Sequence, residues 1–270
     1  MLRYTGLVFF FTFLLLPIYE MLMTSLKPLY ETHSIPSTLF PHQFYYQNYL
    51  QMWKTVPNLP RYLLNSFFIA SIVAVFAILL AIPASYVIAR HKFPGRREIL
   101  LSTLIINLFS PVVLLAPLYT TMRFLGLLNT YWAIIVPTAA FALPFNIWML
   151  TGFFDTIPVE LEEAAAIDGA SKPQILSRIV LPLAAPGLAA VAIYAFIAGW
   201  SQFIFAISFN TQDSLMPITQ GLYKFLGQHE LLRWNELMGA SLVATLPVII
   251  LFIYLQKYLV RGLTVGAIKG

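Results

Sequence analysis

The fold is decided by residues 155–182, which read Asp155-Thr-Ile-Pro-Val-Glu-Leu-Glu-Glu-Ala-Ala-Ala-Ile-Asp-Gly-Ala-Ser-Lys-Pro-Gln-Ile-Leu-Ser-Arg-Ile-Val-Leu-Pro182. Asp155 or Thr156 can cap a helix in which Pro158 occupies the first turn and three glutamates lie near the positive end of the helix dipole. Alanine, glutamate and leucine favour that helix, and Gly169 can end it in a left-handed conformation. The first half of the stretch therefore predicts a short, capped helix.

A second helix is predicted directly after the glycine. Ser171 and Gln174 have the spacing of a capping box, and Pro173 suits the first helical turn. The two helices form a helix-turn-helix, and the first presents small side chains at residues 164–166. Such a surface suits close docking onto another protein, whereas a solvated connector would not need two capped helices.

The rest of the chain is strongly apolar. Of its 270 residues, 59% are hydrophobic and 10% are charged, and the mean hydropathy is +0.79, whereas a soluble domain has about 25% charged residues. Lipid must therefore be the solvent for most of the chain. The lack of cysteine excludes disulfides and thiolate metal sites. The net charge of +5 does not indicate nucleic-acid binding, because the basic residues lie in short loops between apolar runs.

Six apolar segments are long enough to cross a hydrocarbon core of about 30 Å as helices. No small-residue cleavage site follows the first segment, so we interpret it as a spanning helix and not as a signal peptide. We therefore predict an all-α membrane protein with a single transmembrane domain, residues 1–270. The predicted spans are approximately 6–25, 63–89, 99–118, 131–153, 183–209 and 237–260.

The lysines and arginines predict the orientation. If the N-terminus is cytoplasmic, ten of the 16 basic residues fall in inner loops and six in outer loops, and the cluster Arg90–Arg97 lies inside. Basic residues favour the cytoplasmic side of short loops. We therefore expect a multi-pass protein of the inner (cytoplasmic) membrane with both termini in the cytoplasm, which places residues 155–182 in the cytoplasm too.

The spacing within residues 155–182 resembles a known cytoplasmic signature, that of the binding-protein-dependent ABC permeases. The signature is Glu-Ala-Ala, three residues, Gly, nine residues, then Ile-x-Leu-Pro. The sequence matches it with Glu163-Ala164-Ala165, Gly169 and Ile179-x-Leu181-Pro182. A motif of this length, between apolar spans, identifies the chain as similar to that family.

Three further features place the resemblance in the sugar-importing branch. They are Leu26-Lys27-Pro28, Phe93-Pro94-Gly95 and the ending from Gly262 to Gly270. Within that branch the chain is most similar to the smaller membrane subunit of the maltose and trehalose importers. The resemblance covers nearly the whole chain and implies the type I ABC importer fold, with six transmembrane helices and a coupling loop at 155–182.

The resemblance also implies partners. They are a second, different permease subunit, two ATPase subunits, an extracytoplasmic sugar-binding protein and membrane lipid. ATP and Mg would be bound by the ATPase subunits, because this chain has no Gly-x-x-x-x-Gly-Lys-Ser/Thr phosphate loop. We therefore expect a non-catalytic subunit without a cofactor of its own. The candidates for contact with the ATPase in the coupling loop are Glu162, Glu163, Ala164, Ala165, Asp168, Gly169, Ile179, Leu181 and Pro182.

The C-terminal tail, residues 261–270, is a second candidate for contact with the ATPase. Its glycines and small apolar residues make a poor helix, so we expect an extended peptide. The resemblance implies that such a tail enters the interface between the two ATPase subunits. The tail residues concerned are Gly262, Leu263, Thr264, Gly266, Lys269 and Gly270.

Candidate substrate-pathway residues are polar or aromatic and lie within the apolar spans. Sugar recognition needs aromatic faces and neutral hydrogen-bonding groups, and polar residues inside a membrane are costly. The alternative is that these side chains only connect helices through hydrogen bonds. Proline pairs at 111/117 and 137/144 favour broken helices around a cavity. The candidates are Asn107, Asn146, Trp148, Tyr194, Trp200, Ser201 and Gln202.

Two other function classes remain as alternatives, a secondary transporter or channel and an integral membrane enzyme. No acidic and basic pair lies deep in a span to bind a coupling ion, and no catalytic or metal-binding set of residues clusters at a membrane face. The sequence leaves open which solute is carried, whether maltose, trehalose, another oligosaccharide or a glycerol phosphate compound. It also leaves open how much of the substrate contact this subunit makes, and whether Glu20 does more than reach the membrane interface.

Overall fold

The computed structural model describes residues 2–107, 109–227 and 232–267. These residues form α-helices, one π-helical segment (Leu176–Val180) and one 3₁₀ segment (Asp213–Leu215), without a strand among them. The helices are α1 (Leu2–Ser25), α2 (Leu29–Thr32), α3 (Asn48–Thr55), α4 (Leu59–Arg90), α5 (Arg96–Ile106), α6 (Leu115–Phe124), α7 (Trp132–Asp155), α8 (Glu160–Ile167), α9 (Lys172–Ile175), α10 (Leu181–Leu183), α11 (Ala185–Trp200), α12 (Ile204–Phe209), α13 (Ile218–Gly227) and α14 (Trp234–Ala267).

Four of the described helices are long and apolar enough to cross a membrane, namely α1, α4, α7 and α14. A bent pair, Lys172–Leu183 with Ala185–Trp200, brings the number to five if it counts as one span, and the helix axis bends by 80° between its two arms. The predicted span 183–209 corresponds to the second arm and α12, which are separated at residues 201–203. The structure is therefore that of an all-helical, multi-pass membrane protein.

The predicted span 99–118 is not one continuous helix. It is divided between α5 and α6, and residues 109–114 between them are not helical. Pro111 lies in this interruption, where it lacks a backbone N–H and disfavours the helical conformation of Ser110. Prolines do not always have this effect here, because Pro17, Pro83, Pro137, Pro144 and Pro247 lie inside continuous helices.

The chain divides into two compact units. One comprises the described residues of Met1–Leu64 and Ile218–Pro247, and the other those of Asn65–Pro217 and Val248–Gly270. In the second unit, α11 packs very closely on its neighbours. A Cβ added at Gly199 would lie 2.7 Å from the Cα of Ala70, and one at Gly187 would lie 2.4 Å from the ring of Phe153. Small residues permit this approach between membrane helices.

The coupling loop confirms two of the predicted turn signals and corrects a third. Gly169 has a φ of +83°, as expected for a left-handed helix end. Ser171 and Gln174 form the predicted capping box, and the backbone N–H of Ser171 donates to Gln174 Oε1 at 2.8 Å. The cap prediction at Asp155 or Thr156 is wrong, because α7 continues through Asp155 and α8 begins only after Val159. The fully buried Phe154 explains the extension, since its packing keeps this end of α7 helical.

The prediction of an extended tail is also wrong for residues 261–267, which are helical. Helix α14 continues through Ala267, so Gly262, Leu263, Thr264 and Gly266 lie on a helix. Extending an existing helix adds a hydrogen bond for each residue fixed, whereas starting a new one is costly. This gain offsets a cost of about 1 kcal/mol for each glycine. Lys269 and Gly270 lie outside the described residues.

The polar segment between α1 and α4 is held by buried side chains. The Glu31 carboxylate accepts hydrogen bonds from Thr38 Oγ1 at 2.6 Å, from the His42 backbone N–H at 3.0 Å and from the His42 ring at 2.8 Å. Burial opposes the charge of Glu31, but these hydrogen bonds outweigh it and lower the pKa of the carboxyl. Glu20 is partly exposed, and its carboxylate lies 3.6 Å from the Lys27 ammonium.

Candidate functional site

Helix α8 presents an apolar surface on a loop rich in charged residues. Ile167 is 87% exposed and Leu161 is 45% exposed, and Ala164 lies exposed between them. Residues three apart share a face of a helix, so these side chains form one strip. A strip of this kind, outside the spans, has the composition of a protein-docking surface.

The opposite face of α8 is fixed by a buried ion pair. The Glu162 carboxylate accepts hydrogen bonds from Arg90 Nε at 2.5 Å and from the Tyr86 hydroxyl at 2.7 Å. The side chains of Arg90 and Glu162 are only 8% and 10% exposed. The Arg90 guanidinium also donates to the backbone carbonyl of Ile157 at 3.2 Å. The end of α4 is thereby tied directly to the coupling loop.

An apolar cluster completes the attachment of the loop. Phe154 from α7, Ile157 from the loop, Ile175 from α9 and Val180 from the π-helical segment are buried together. Leu150 belongs to the same cluster. Packed side chains, and not a flexible tether, therefore connect α8 to α4, α7 and α11.

The remaining coupling candidates divide by exposure. Among them, Glu163, Asp168 and Pro182 are exposed, while Ala165, Ile179 and Leu181 are half-buried. Ala165 packs on the apolar cluster beneath α8. The outward side chains are available to a docking partner, whereas Glu162 and Ala165 position the helix.

Three of the seven substrate-pathway candidates line one cavity of about 200 Å³ within the second unit. They are Asn107 at the end of α5, Tyr194 in α11 and Gln202 in the interruption before α12. The cavity therefore lies where two helices are broken, as is usual for irregular backbone at membrane depth.

Hydrogen bonds orient the polar wall of this cavity. The Gln202 amide donates to Thr138 Oγ1 at 3.2 Å, and Thr138 in turn donates to the Ile134 carbonyl at 2.6 Å. The Gln202 carbonyl oxygen accepts from the backbone N–H of Phe205 at 3.3 Å. The ring of Phe205 and that of Phe141 face each other across 5.9 Å and supply the apolar wall.

The other four candidates are not part of this cavity. Trp200 is 7% exposed and stacks on Phe196 at 5.8 Å, so its role in the described unit is packing. Ser201 is exposed at the end of α11. Trp148 lines a separate cavity of about 420 Å³ near the end of α7. Asn146 is fully buried, and neither polar atom of its side chain has a hydrogen-bond partner among the described residues.

Sequence reasoning missed several members of both sites. Thr138, Phe141 and Ala198 line the cavity but were not among the candidates; Ala198 is four residues from each of the predicted Tyr194 and Gln202, and Thr138 and Phe141 are three apart on α7. That spacing is a helical-face signal that was available in the sequence. Arg90 and Glu162 are 72 residues apart, and no local pattern connects them.

A comparison with protein families agrees with this geometry. Residues 81–265 match the model of the family described as "Binding-protein-dependent transport system inner membrane component". The chain belongs to this family. The match covers the coupling loop, the cavity and most of α14, so the permease architecture applies to both candidate sites.

Known permeases resemble the chain over nearly its full length. It is 35% identical over 268 residues to the inner membrane ABC transporter permease protein YcjP of Escherichia coli, covering 99% of this chain and 95% of that protein. It is 37% identical over 236 residues to the trehalose/maltose transport system permease protein MalG of Thermococcus litoralis, covering 87% of this chain and 84% of that protein.

A solved structure supports the fold. A chain of a bacterial ABC transporter involved in the import of the acidic polysaccharide alginate superposes with a TM-score of 0.79, covering 95% of both chains. The identity is 23%, so this likeness bears on the fold alone. It agrees with the type I importer fold expected from the signature.

Proposed function

We propose that this chain is one of two different permease subunits in a sugar importer, and that it receives force from an ATPase subunit through α8. The exposed strip Leu161–Ala164–Ile167 carries the proposal, because water is a poor environment for an isoleucine that is 87% exposed. Its counterpart would be a cleft on the ATPase, where ATP and Mg are bound. Two ATPase subunits and an extracytoplasmic sugar-binding protein complete the assembly.

The proposed contact of α8 with the ATPase also sets the orientation of the chain in the membrane. Both termini and the coupling loop are proposed to lie in the cytoplasm, which agrees with the excess of lysine and arginine in the corresponding loops. The segments between α1 and α4 and between α12 and α14 then face the outside. The sugar enters from that side and leaves toward α8.

The proposed substrate is a neutral sugar. The cavity at the helix breaks has amide, hydroxyl and aromatic groups, and none of the described residues that line it is a lysine, an arginine or a carboxylate. Its volume of about 200 Å³ suits one sugar ring and not a whole oligosaccharide. A relative of this chain is a trehalose/maltose permease, which agrees with this chemistry. A glycerol phosphate compound would need a buried cation.

Uptake by the complete transporter tests this function. Proteoliposomes with all subunits and the binding protein are offered radiolabelled trehalose, maltose, glycerol 3-phosphate and an alginate oligosaccharide. We expect ATP-dependent uptake of a neutral sugar, and a rise of about tenfold in KM for Gln202→Leu, which loses a neutral hydrogen-bonding group. Ser201→Ala is the control, because this neighbour does not line the cavity. Uptake of only the anionic compounds would contradict the proposal.

A further inference from the structure

A second cavity is lined entirely by residues of the first unit. Its volume is about 610 Å³, within the range of roughly 300–1,000 Å³ that is typical of small-molecule sites. Tyr30 and Tyr45 supply aromatic walls, and Gln51 and Arg233 supply polar groups. The Tyr30 side chain is 72% exposed, so the cavity is open to the solvent.

The charged wall of the cavity is a fixed ion pair. Arg233 Nη1 donates to Glu236 Oε1 at 2.7 Å, and the Thr55 hydroxyl donates to Glu236 Oε2 at 2.5 Å. The Glu236 side chain is only 2% exposed, whereas that of Arg233 is 34% exposed. Nε and Nη2 of Arg233 have no partner among the described residues. The guanidinium therefore retains donors in a wall whose net charge is zero.

A nearby amide leaves one acceptor unused. Asn48 donates from its Nδ2 to the carbonyls of Ser25 and Lys27, both at 2.8 Å, so its Oδ1 must be the acceptor toward Asn235. Asn235 therefore presents its Nδ2 to Asn48, and its Oδ1 has no donor among the described residues. Asn235 lines the cavity, so a residue of its wall carries a buried amide oxygen without a donor among the described residues.

We propose that this cavity binds a neutral carbohydrate on the outer side of the membrane, before the carbohydrate reaches the helix breaks. Aromatic faces interleaved with donors and acceptors match a sugar ring, which has apolar C–H faces and hydroxyls that both donate and accept. The Arg233–Glu236 pair has no excess charge to attract an anion. The inference rests on the proposed function, because it assumes the same orientation and substrate class.

The absence of cysteine makes a local test direct. In the complete transporter, reconstituted in nanodiscs without the binding protein, Leu29→Cys places the chain's single thiol in the cavity wall. Leu50→Cys is the matched control, because Leu50 is 68% exposed and does not line the cavity. Each variant is labelled with a maleimide, with trehalose or maltose as the protecting sugar.

We expect the sugar that the wild-type transporter imports to slow labelling at Leu29→Cys severalfold and saturably, with no effect at Leu50→Cys. Adding Arg233→Lys keeps the charge but loses the planar fork of donors, and should raise the half-protecting concentration about tenfold. Labelling that an imported sugar does not slow would overturn this inference and leave the proposed function standing. In a parallel sample to which the sugar-free binding protein is added, slower labelling with that protein but not with the sugar would also overturn the inference, because a loop of the binding protein would then occupy the cavity. Import of neither sugar by the wild-type transporter would count against the proposed function itself.

Discussion

Glu162 belongs to the coupling loop by sequence, but its side chain points to the membrane spans. It forms a buried ion pair with Arg90, so removal of one partner leaves an uncompensated charge. We predict that Glu162→Gln or Arg90→Gln lowers the free energy of unfolding by about 3–5 kcal/mol. Denaturant unfolding of the purified transporter in detergent measures this loss.

A second ion pair in the same unit supplies the control. The side chains of Arg96 and Asp155 are 31% and 45% exposed, and Arg96 Nη2 lies 2.9 Å from Asp155 Oδ1. Arg96→Gln and Asp155→Asn should cost about 0–1 kcal/mol, because solvent screens the pair. If the double variant of Arg90 and Glu162 loses as much as the sum of its single variants, the two side chains are not coupled and the interpretation fails.

Gly169 permits a sharper test of the loop geometry. Its φ is +83°, and an added Cβ would have no atom within 4 Å, so any cost of a side chain is conformational. Gly169→Val should cost roughly 1–2 kcal/mol and displace α8, with reduced co-purification of the ATPase. Gly169→Asn should retain more ATPase, because asparagine tolerates this conformation. Equal ATPase recovery with valine and asparagine would show that the left-handed turn is unimportant.

For individual residues, the sequence predicted the features that depend only on residues nearby in the chain. The conformation of Gly169 and the Ser171–Gln174 box are local features, so turn and capping rules were sufficient to find them. The Arg90–Glu162 pair depends on how α4 and α8 meet in space. A single sequence does not contain that information in any local pattern.

Among the helices, too, some features were predictable from the sequence and others were not. Hydropathy predicted the positions of α1, α4, α7 and α14, because long apolar runs have few alternatives in lipid. It did not predict that Pro111 interrupts its span while Pro144 does not, since both residues lie in apolar runs. The outcome depends on whether neighbouring helices satisfy the freed carbonyl groups. The cavity formed by the interruptions was therefore only partly predictable.

Helix α14 raises a prediction of its own. We propose that its end, with the residues that follow, makes a second contact with the ATPase, independent of α8. Deletion of residues 264–270 should reduce ATPase stimulation or uptake while membrane insertion stays intact, because the long apolar part of α14 is retained. Substitution of Thr264 by alanine alone, which favours the helix, is the control. Unchanged stimulation and uptake after the deletion would show that this end is dispensable.

At the scale of the whole molecule, an apolar scaffold carries two candidate sites, the coupling loop around α8 and the cavity at the helix breaks. The scaffold and its class were predictable from composition and from one signature of twenty residues, 163–182. The sites were harder to predict, because each is assembled from segments distant in sequence. None of the apolar window of helix α1 is buried by the rest of the described chain, so lipid or a partner protein must cover it.

The central claim is that α8 transfers the work of ATP hydrolysis to sugar movement. Its most direct test compares Ile167→Asp with Leu39→Asp, since both side chains are apolar and exposed, at 87% and 69%, but only Ile167 lies on α8. In proteoliposomes with all subunits and the binding protein, we predict that Ile167→Asp lowers both sugar uptake and stimulated ATP hydrolysis at least about tenfold. Leu39→Asp should leave both rates at the wild-type level. Wild-type uptake and ATP hydrolysis by the Ile167→Asp transporter would contradict the account.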